Sequence, residues 1–469
     1  MQFLSFAFLA FGGMLLGLHW AIPHRRWQNF LLLAGSLAFV YSWSRQLCIL
    51  LVVSAAVEWI LARRLKAAVE TSWRRLWLWI SIFLNLGFLA FFKYAHFFLP
   101  ELKGVAASIG FRSQTLELLV PVGLSFWTLQ KMTLTLDIYF HRIKRKVGFF
   151  EFLLSISFFP TLVSGPIERM RNLLPQWKKP RVWSSQGFSE GIWLIAIGAF
   201  QKVVIADNVA GCVDALLKPG TSVLAIQLGL WAYALQIFAD FSGYSDMARG
   251  IARLFGVNVI QNFQAPYAAS NLSDFWKRWH VALSSWLNDY VFSPASMSLR
   301  DLGTFGVVIA TWVTFLSSGL WHGTGWNFLV WGSVHAAGLT IYVLTKKTRK
   351  KYKKKWGNEV WLEPLMVAIT LEWVCLGYLF FHAADLREVG GLLSSVSGGH
   401  WFGLPDFDAR ILVLSGLAIF ALHWAYLKSH DPFWIFTQRV AIRTAVYLVL
   451  GLLLLRFYAP AESFLYFQF

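Results

Sequence analysis

Charged residues are scarce in this chain. Only 14% of its residues are charged, and Asp and Glu number 24 against 42 Lys and Arg. An average soluble domain is about 25% charged, so a water-facing globular surface is excluded. Cysteine is nearly missing too. Cys48, Cys212 and Cys375 each stand alone in or beside apolar sequence and form no CxxC pair. That excludes a disulfide framework and a zinc site, and leaves three small buried hydrophobes. There is no HExxH, no G-x-S-x-G elbow and no Walker A motif. No pair of related halves suggests a transporter, and no repeated filter or charged ring suggests a channel.

What the chain has is apolar and aromatic. It is 57% hydrophobic, with 25 Trp and 42 Phe in 469 residues, and its mean hydropathy is +0.54. Trp favours the bilayer interface, where one end of the ring stays wet. The composition specifies an all-α polytopic membrane protein. The net charge of +18 does not point to nucleic acid, because the basic residues lie in short loops beside apolar segments, where membrane topology places them. Contact with anionic lipid headgroups is expected instead.

A spanning helix needs about 20 apolar residues. Candidate segments run over 3–22, 28–44, 46–62, 76–98, 117–140, 150–166, 190–212, 222–240, 303–320, 326–345, 362–382, 410–427 and 440–458. Several are short or interrupted, so about eleven true spans with some re-entrant pieces are expected. They form one membrane domain over 1–469, with a core over 118–345 and C-terminal helices over 362–469. The apolar stretch Phe3–Ile22 has no basic residues before it and reads as a retained first span. Arg25 and Arg26 follow it. Basic loops after the third span (Arg63, Arg64, Lys66, Arg74, Arg75) and the fifth (HRIKRK, His141–Lys146) place those ends in the cytoplasm. The segment 150–166 is followed by a second basic stretch, Arg169–Arg181. It is expected to dip in and return, with Pro160, Gly165 and Pro166 permitting the break. Lys346–Lys355, KKTRKKYKKK, reads as a cytoplasmic topology anchor or as a docking site for an anionic donor or carrier. The stretch 383–409 reads as the largest extracytoplasmic loop.

Ser317–Asn327, SSGLWHGTGWN, sets His322 among glycines in strongly apolar sequence. An ionisable residue is costly at membrane depth and is a functional candidate by default. Gly319, Gly323 and Gly325 are expected to let the backbone break around it, and Trp321 and Trp326 to wall a cavity. A histidine there titrates near neutrality and can act as a general base. The least lipid-like region is 236–300. QIFADFSGYSDMARG (Gln236–Gly250) carries Asp240, Tyr244 and Asp246, and the acids read either as chemistry or as partners of Arg249 or Lys277. NLSDFWKRWHVALSSWLNDYVF (Asn271–Phe292) reads as an amphipathic or re-entrant helix. Asn271 or Ser273 would cap it, and Phe275, Trp279, Ala282 and Trp286 would share one face. His280 within it, and His335 in WGSVHAAG, read equally as packing histidines.

These stretches carry a resemblance. With PVGLSFWTLQ (Pro121–Gln130), FPTLVSGPIERM (Phe159–Met170), NFQAPYAASN (Asn262–Asn271), GLWHGTGWNFLVWGSVH (Gly319–His335) and the terminal FLYFQF (Phe464–Phe469), the chain resembles the membrane-bound O-acyltransferase family. The likeness is to the bacterial branch of alginate O-acetyltransferase and teichoic-acid D-alanyl transferase. The resemblance implies tilted helices around a tunnel across the membrane. It puts His322 at the catalytic position and His280 at the second, supporting one. Trp276, Arg278, Trp279, Asp289, Tyr290, Trp321, Asn327, Asp240 and Tyr244 are the expected substrate-side residues. The sequence departs from the alginate-type pattern after Trp286: Asn288-Asp289-Tyr290 replaces Arg-Asp-Tyr, and SPASMSLRDLG (Ser293–Gly303) replaces a Leu-Gly-Gly-Asn-Arg loop.

The resemblance implies transfer of an acyl group, acetyl first, from a cytoplasmic thioester such as acetyl-CoA or an acyl carrier. The acceptor is an extracytoplasmic hydroxyl, on an envelope glycan or on a partner transferase. His322 is the expected base, with His280, Asn327 or a backbone N–H near Gly323 as oxyanion donor. No metal is called for. Two alternatives stay open: D-alanyl transfer to teichoic acid, and a non-catalytic acyl channel or scaffold. The expected location is the bacterial cytoplasmic membrane.

Overall fold

The computed structural model describes residues 3–108, 123–356, 359, 361–458 and 464, with side chains in 95–108 left aside, as are those of Lys353, Lys355 and Trp356. The first part of the expected span over 117–140, and 465–469 of the terminal motif, lie outside the described residues. The described chain is helical throughout, with no strand among the described residues. It divides into two compact units: Met1–Ile192 with Ala248–Val259, and Trp193–Met247 with Ile260–Phe469.

The first unit contains α1 (Phe6–Ala21), α2 (Arg25–Tyr41), α3 (Arg45–Ala67), α4 (Thr71–Ser108), α5 (Leu124–Tyr139), α6 (Phe149–Ser157) and α7 (Met170–Lys178). The α3 helix packs on α2, α4, α5 and α6. At 1.5 Å per residue, α6 with its 9 residues covers less than half a bilayer. The chain after it turns within buried residues 158–169 rather than continuing across. Gly165 makes that turn possible, since a Cβ there would sit 2.5 Å from the Thr161 Cα. The membrane-facing surfaces carry exposed Leu, Ile and Phe, as a lipid-solvated helix should.

One group of buried polar side chains inside this unit is mutually satisfied. Glu58 of α3 is 1% exposed. It accepts hydrogen bonds from Ser81 (2.9 Å), Asn85 Nδ2 (2.6 Å) and Thr135. Lys131 supplies a nearby opposite charge and lies over the rings of Trp127 (4.8 Å) and Phe88 (5.1 Å).

The second unit takes in the later part of α8 (Ser185–Ala199), α9 (Asp207–Leu216), most of α10 (Val223–Leu254), α11 (Leu272–Arg278), α12 (Val281–Leu287), α13 (Ser293–Ser298), α14 (Gly303–His322), α15 (Trp326–Leu344), α16 (Lys346–Trp356), α17 (Leu362–His382), α18 (Leu386–Ser397), α19 (Ala409–Ser429) and α20 (Val440–Phe457). A seven-residue π-turn, Phe200–Ala206, joins α8 to α9. The lysine-rich stretch is helical as α16. The stretch 383–409 is more than a loop: Asp385 caps α18 through the Arg387 and Glu388 amides.

Among the described residues, nine helices are long and apolar enough to cross a membrane, against the eleven expected. The shortfall lies partly in α1 and α2, with 16 and 17 residues. Pro23 stops α1 and Arg25 opens α2, so neither reaches a full bilayer width.

Replacing Glu58 by Ala removes the acceptor of three buried donors and the counter-charge of Lys131. We expect a loss of about 3–5 kcal/mol, seen as a large fall in the thermal midpoint of the detergent-solubilised protein. Glu58→Gln, which keeps the acceptor, should lose clearly less; equal losses would contradict this account.

Candidate functional site

The second unit brings His322, Trp321, His280, Trp276 and Trp279 into one aromatic cluster. The α14–α15 hairpin forms its base. Gly319 and Gly332 allow the two helices to touch through their backbones, because a Cβ on Gly319 would lie 2.4 Å from the Phe328 carbonyl oxygen and one on Gly332 2.5 Å from that of Phe315. Gly323 leaves room for the Phe328 ring, which a Cβ would meet at 1.9 Å. The glycines around His322 therefore serve close approach. The backbone at Gly323 and Gly325 is extended, with φ of −158° and −78°.

His322 ends α14 and is 5% exposed. Its ring meets Trp321 and Trp331 edge-on at 4.9 Å each and Phe381 at 5.1 Å. Trp331, one of the residues sequence reasoning missed, takes the place expected for Trp326, which is 69% exposed. The register of α15 decides this: residue 331 turns inward and residue 326 outward. Trp331 also meets His335 at 5.1 Å, and His335 meets Trp276 at 4.9 Å. Trp321 reaches towards His280, with ring centroids 6.4 Å apart. Three histidines thus share one aromatic wall. Among the described residues, the buried Nε1 atoms of Trp331 and Trp276 and Nδ1 of His335 meet no hydrogen-bond partner.

His280 stands in a left-handed backbone conformation (φ 44°, ψ 52°), which costs a non-glycine residue about 1–2 kcal/mol. The expected continuous helix over 271–292 breaks there into α11 and α12. Phe275 and Trp279 still stack, 5.5 Å apart at 16°, but the longer apolar face does not run on to Trp286. Of the two expected caps, Asn271 closes α11, its side chain accepting from the Asp274 amide at 2.9 Å.

Asn262 holds the left-handed turn. Its carbonyl accepts from the Val281 amide at 2.9 Å. Its Oδ1 accepts from the Ala282 amide at 3.1 Å and faces His280 Nδ1 at 3.0 Å. Its Nδ2 donates to Ser245 of α10 at 3.1 Å. Since Oδ1 is an acceptor here, His280 Nδ1 carries the proton and Nε2 the lone pair. Nothing in the spacing of the sequence singles out Asn262.

Several of the expected oxyanion donors already have partners. Asn327, 0% exposed, donates Nδ2 to the carbonyls of Phe380 (3.1 Å) and Ala383 (2.8 Å), and so ties α15 to the end of α17. The Gly323 amide donates to Gly319 O at 3.2 Å. His280 Nδ1 is on Asn262.

Asp240 and Tyr244 share a different face of α10. Asp240 pairs with Lys202 at 2.8 Å, and Lys202 also reaches Asp207 at 2.8 Å. Lys202 stands in the π-turn, and such bulges recur at functional sites. It lies 4.6 Å over the ring of Phe464, which Tyr244 meets edge-on at 4.8 Å. Gln201 donates to Asp246 at 3.4 Å. Arg278 pairs locally with Asp274 at 2.9 Å. Asp289 and Tyr290 lie in a second π-turn, Asn288–Phe292, where Tyr290 meets Trp286 at 5.1 Å. The altered loop after it forms α13 and then turns at Gly303, whose φ of 55° with ψ −126° only glycine adopts readily.

A small open cleft is lined in part by Gln201, Ser242, Asp246, Gln261, Phe263 and His423. Phe263 also packs edge-on against Phe241 and Trp279, and Phe241 meets His280 at 4.7 Å. Among the described residues, no three His, Cys, Asp or Glu side chains are grouped to hold a metal ion.

The model of the MBOAT, membrane-bound O-acyltransferase family, matches residues 72–378. A peptidoglycan O-acetyltransferase of Helicobacter pylori is 32% identical over 78% of this chain and 73% of its own length. A probable alginate O-acetylase AlgI of Pseudomonas aeruginosa is 33% identical over 91% of this chain and 80% of its own. A teichoic acid D-alanyltransferase of Bacillus subtilis is 30% identical over 55% and 68%.

Asn262→Ala strips the turn of two acceptor contacts. It should cost about 1–3 kcal/mol in thermal unfolding and lower acyl transfer. Asn262→Asp, which keeps the acceptor, should restore part of the stability. Unchanged unfolding of Asn262→Ala would show that the turn stands without it.

Proposed function

Because the chain belongs to the membrane-bound O-acyltransferase family, we propose that it moves an acetyl group from a cytoplasmic thioester to a hydroxyl that serves O-acetylation of an envelope glycan. His322 is the general base. The observation that carries this reading is the position of His322: buried at a helix end, walled by Trp321, Trp331 and Phe381, and next to a second histidine across Trp321.

The proton bookkeeping is simple. His322 takes the proton of the acceptor hydroxyl as its oxygen attacks the thioester carbonyl. The tetrahedral intermediate expels the thiolate, the C–S bond breaks, and the imidazolium returns the proton to sulfur. A base in this role contributes about 10²–10⁴-fold, and holding both reactants in one site adds further through proximity. With Asn327, the Gly323 amide and His280 Nδ1 already engaged, the indole N–H of Trp331 is the donor we assign to the developing oxyanion. It adjoins His322 and meets no acceptor among the described residues. His280, fixed by Asn262, is a positioning residue that sets Trp321. Trp276, Trp279 and Tyr290 line the acceptor side, and the cleft bearing Gln201, Asp246 and His423 receives the thioester, from acetyl-CoA or an acyl carrier.

The acceptor is either the glycan itself or a hydroxyl of an extracytoplasmic partner transferase. Acetyl is favoured over D-alanine because the O-acetylase relatives match over 91% of this chain and the D-alanyltransferase over 55%.

Cells expressing His322→Ala at wild-type membrane levels should lose the glycan ester by 10²-fold or more, on the order of a base's contribution. The mass of the lost ester identifies the acyl group. Full acylation in His322→Ala would instead favour a conducting scaffold. Trp331→Phe keeps the wall and removes the N–H. We expect kcat to fall about 10²–10³-fold with KM nearly unchanged; a change confined to KM would remove Trp331 from the oxyanion role.

A further inference from the structure

The first unit holds a cationic group that acyl transfer does not use. His19 stands in the last turn of α1 and is 0% exposed. Its ring lies edge-on against Trp20 at 4.9 Å and Phe255 at 5.3 Å. The ring is directed at the Phe255 backbone, yet by distance and angle neither nitrogen completes a hydrogen bond among the described residues. Arg181, between α7 and α8, acts on His19 electrostatically. Its Nη2 donates to Asn29 Oδ1 at 2.6 Å, and its guanidinium lies 5.7 Å over Trp177. Its Nε and Nη1 are buried and meet no acceptor among the described residues.

Arg25 opens α2 close enough to act on Arg181 and is anchored through Nη1 to the Lys178 carbonyl. Among the described residues, no carboxylate forms an ion pair with either arginine. Burial, with Arg25 adding in the same direction, brings the Arg181 guanidinium down to about 10. Gly256 (φ 72°) turns the backbone tightly beside the arginine stem, where a Cβ would sit 3.4 Å from its Cδ.

A buried guanidinium without a counter-charge is costly, and each buried N–H left unmatched adds to the cost. One anion with several acceptor oxygens would answer Nε, Nη1 and an imidazole N–H together. A tetrahedral phosphate offers those directions, and a guanidinium fork suits it. Trp20 and Trp183 meet edge-on at 5.4 Å beside the cluster, in the manner of an interfacial belt. We propose that His19, Arg25 and Arg181 form a binding site for a phosphate group, carried by a phospholipid headgroup or by a soluble phosphate ligand.

The test uses the full-length protein in detergent and two probes, dihexanoylphosphatidylglycerol and inorganic pyrophosphate, with binding read by calorimetry. The wild type should bind at least one probe: the lipid alone if the source is a headgroup, pyrophosphate also or instead if it is soluble. Arg181→Gln should weaken that binding about tenfold or more, the loss expected for charge-assisted hydrogen bonds. Arg181→Lys keeps the charge and loses the fork, so it covers the case where the glutamine variant does not fold, and it too should bind about tenfold more weakly. Failure of the wild type to bind either probe, or wild-type affinity in Arg181→Lys, overturns the proposal.

Discussion

Two helices of the second unit touch backbone to backbone, and the candidate site hangs on that contact. Gly319 on α14 and Gly332 on α15 carry no side chain where each faces a carbonyl of the other helix. In a membrane the hydrophobic effect does not press helices together, so close van der Waals approach does much of that work. The hairpin that results fixes the end of α14, and with it His322. The same approach brings Trp331 and His335 to the inner side, and Asn327 then secures the loop end of the hairpin to α17. A side chain at either glycine would force the helices apart and shift every ring around the histidine.

Within each unit the protein repeatedly solves one problem, the burial of polar groups where water is scarce. Glu58, Lys202 and Asn262 are each 1–3% exposed, and each satisfies several partners at once. Lys202 bridges two carboxylates and faces an aromatic ring. Asn262 holds a left-handed turn that would otherwise be strained. Among the described residues, the buried N–H of Trp331 and the Nε and Nη1 of Arg181 are left without partners. Groups of this kind mark places where a protein meets something other than itself.

Much of this was legible in the sequence, and the reasons are physical. Hydropathy over 20-residue windows gives the long helices because the bilayer sets their length. It overcounts at α1 and α2, which Pro23 and Arg25 cut short. His322 was legible because an ionisable residue in apolar sequence is costly. The same rule applies to Glu58 in VVSAAVEWI and Lys202 in FQKVVIAD, and would have found both. The glycines flanking His322 were legible as special, but as hinges; their use as contact points depends on what lies opposite, which no local pattern reveals. Trp326 adjoins His322 in sequence and Trp331 adjoins it in space, because helical register outranks proximity along the chain. Asn262 acts across 18 residues on His280, and that pairing exists only once the turn has formed.

The central claim is that His322 moves the proton during acyl transfer. The direct measurement is single-turnover transfer of labelled acetyl from acetyl-CoA to a hydroxyl acceptor by the purified protein in proteoliposomes, with wild type and His322→Gln compared at equal reconstitution. The account predicts transfer by the wild type and a rate lower by about 10²-fold or more in the variant, with thioester binding retained. Equal transfer rates in the two proteins would contradict it.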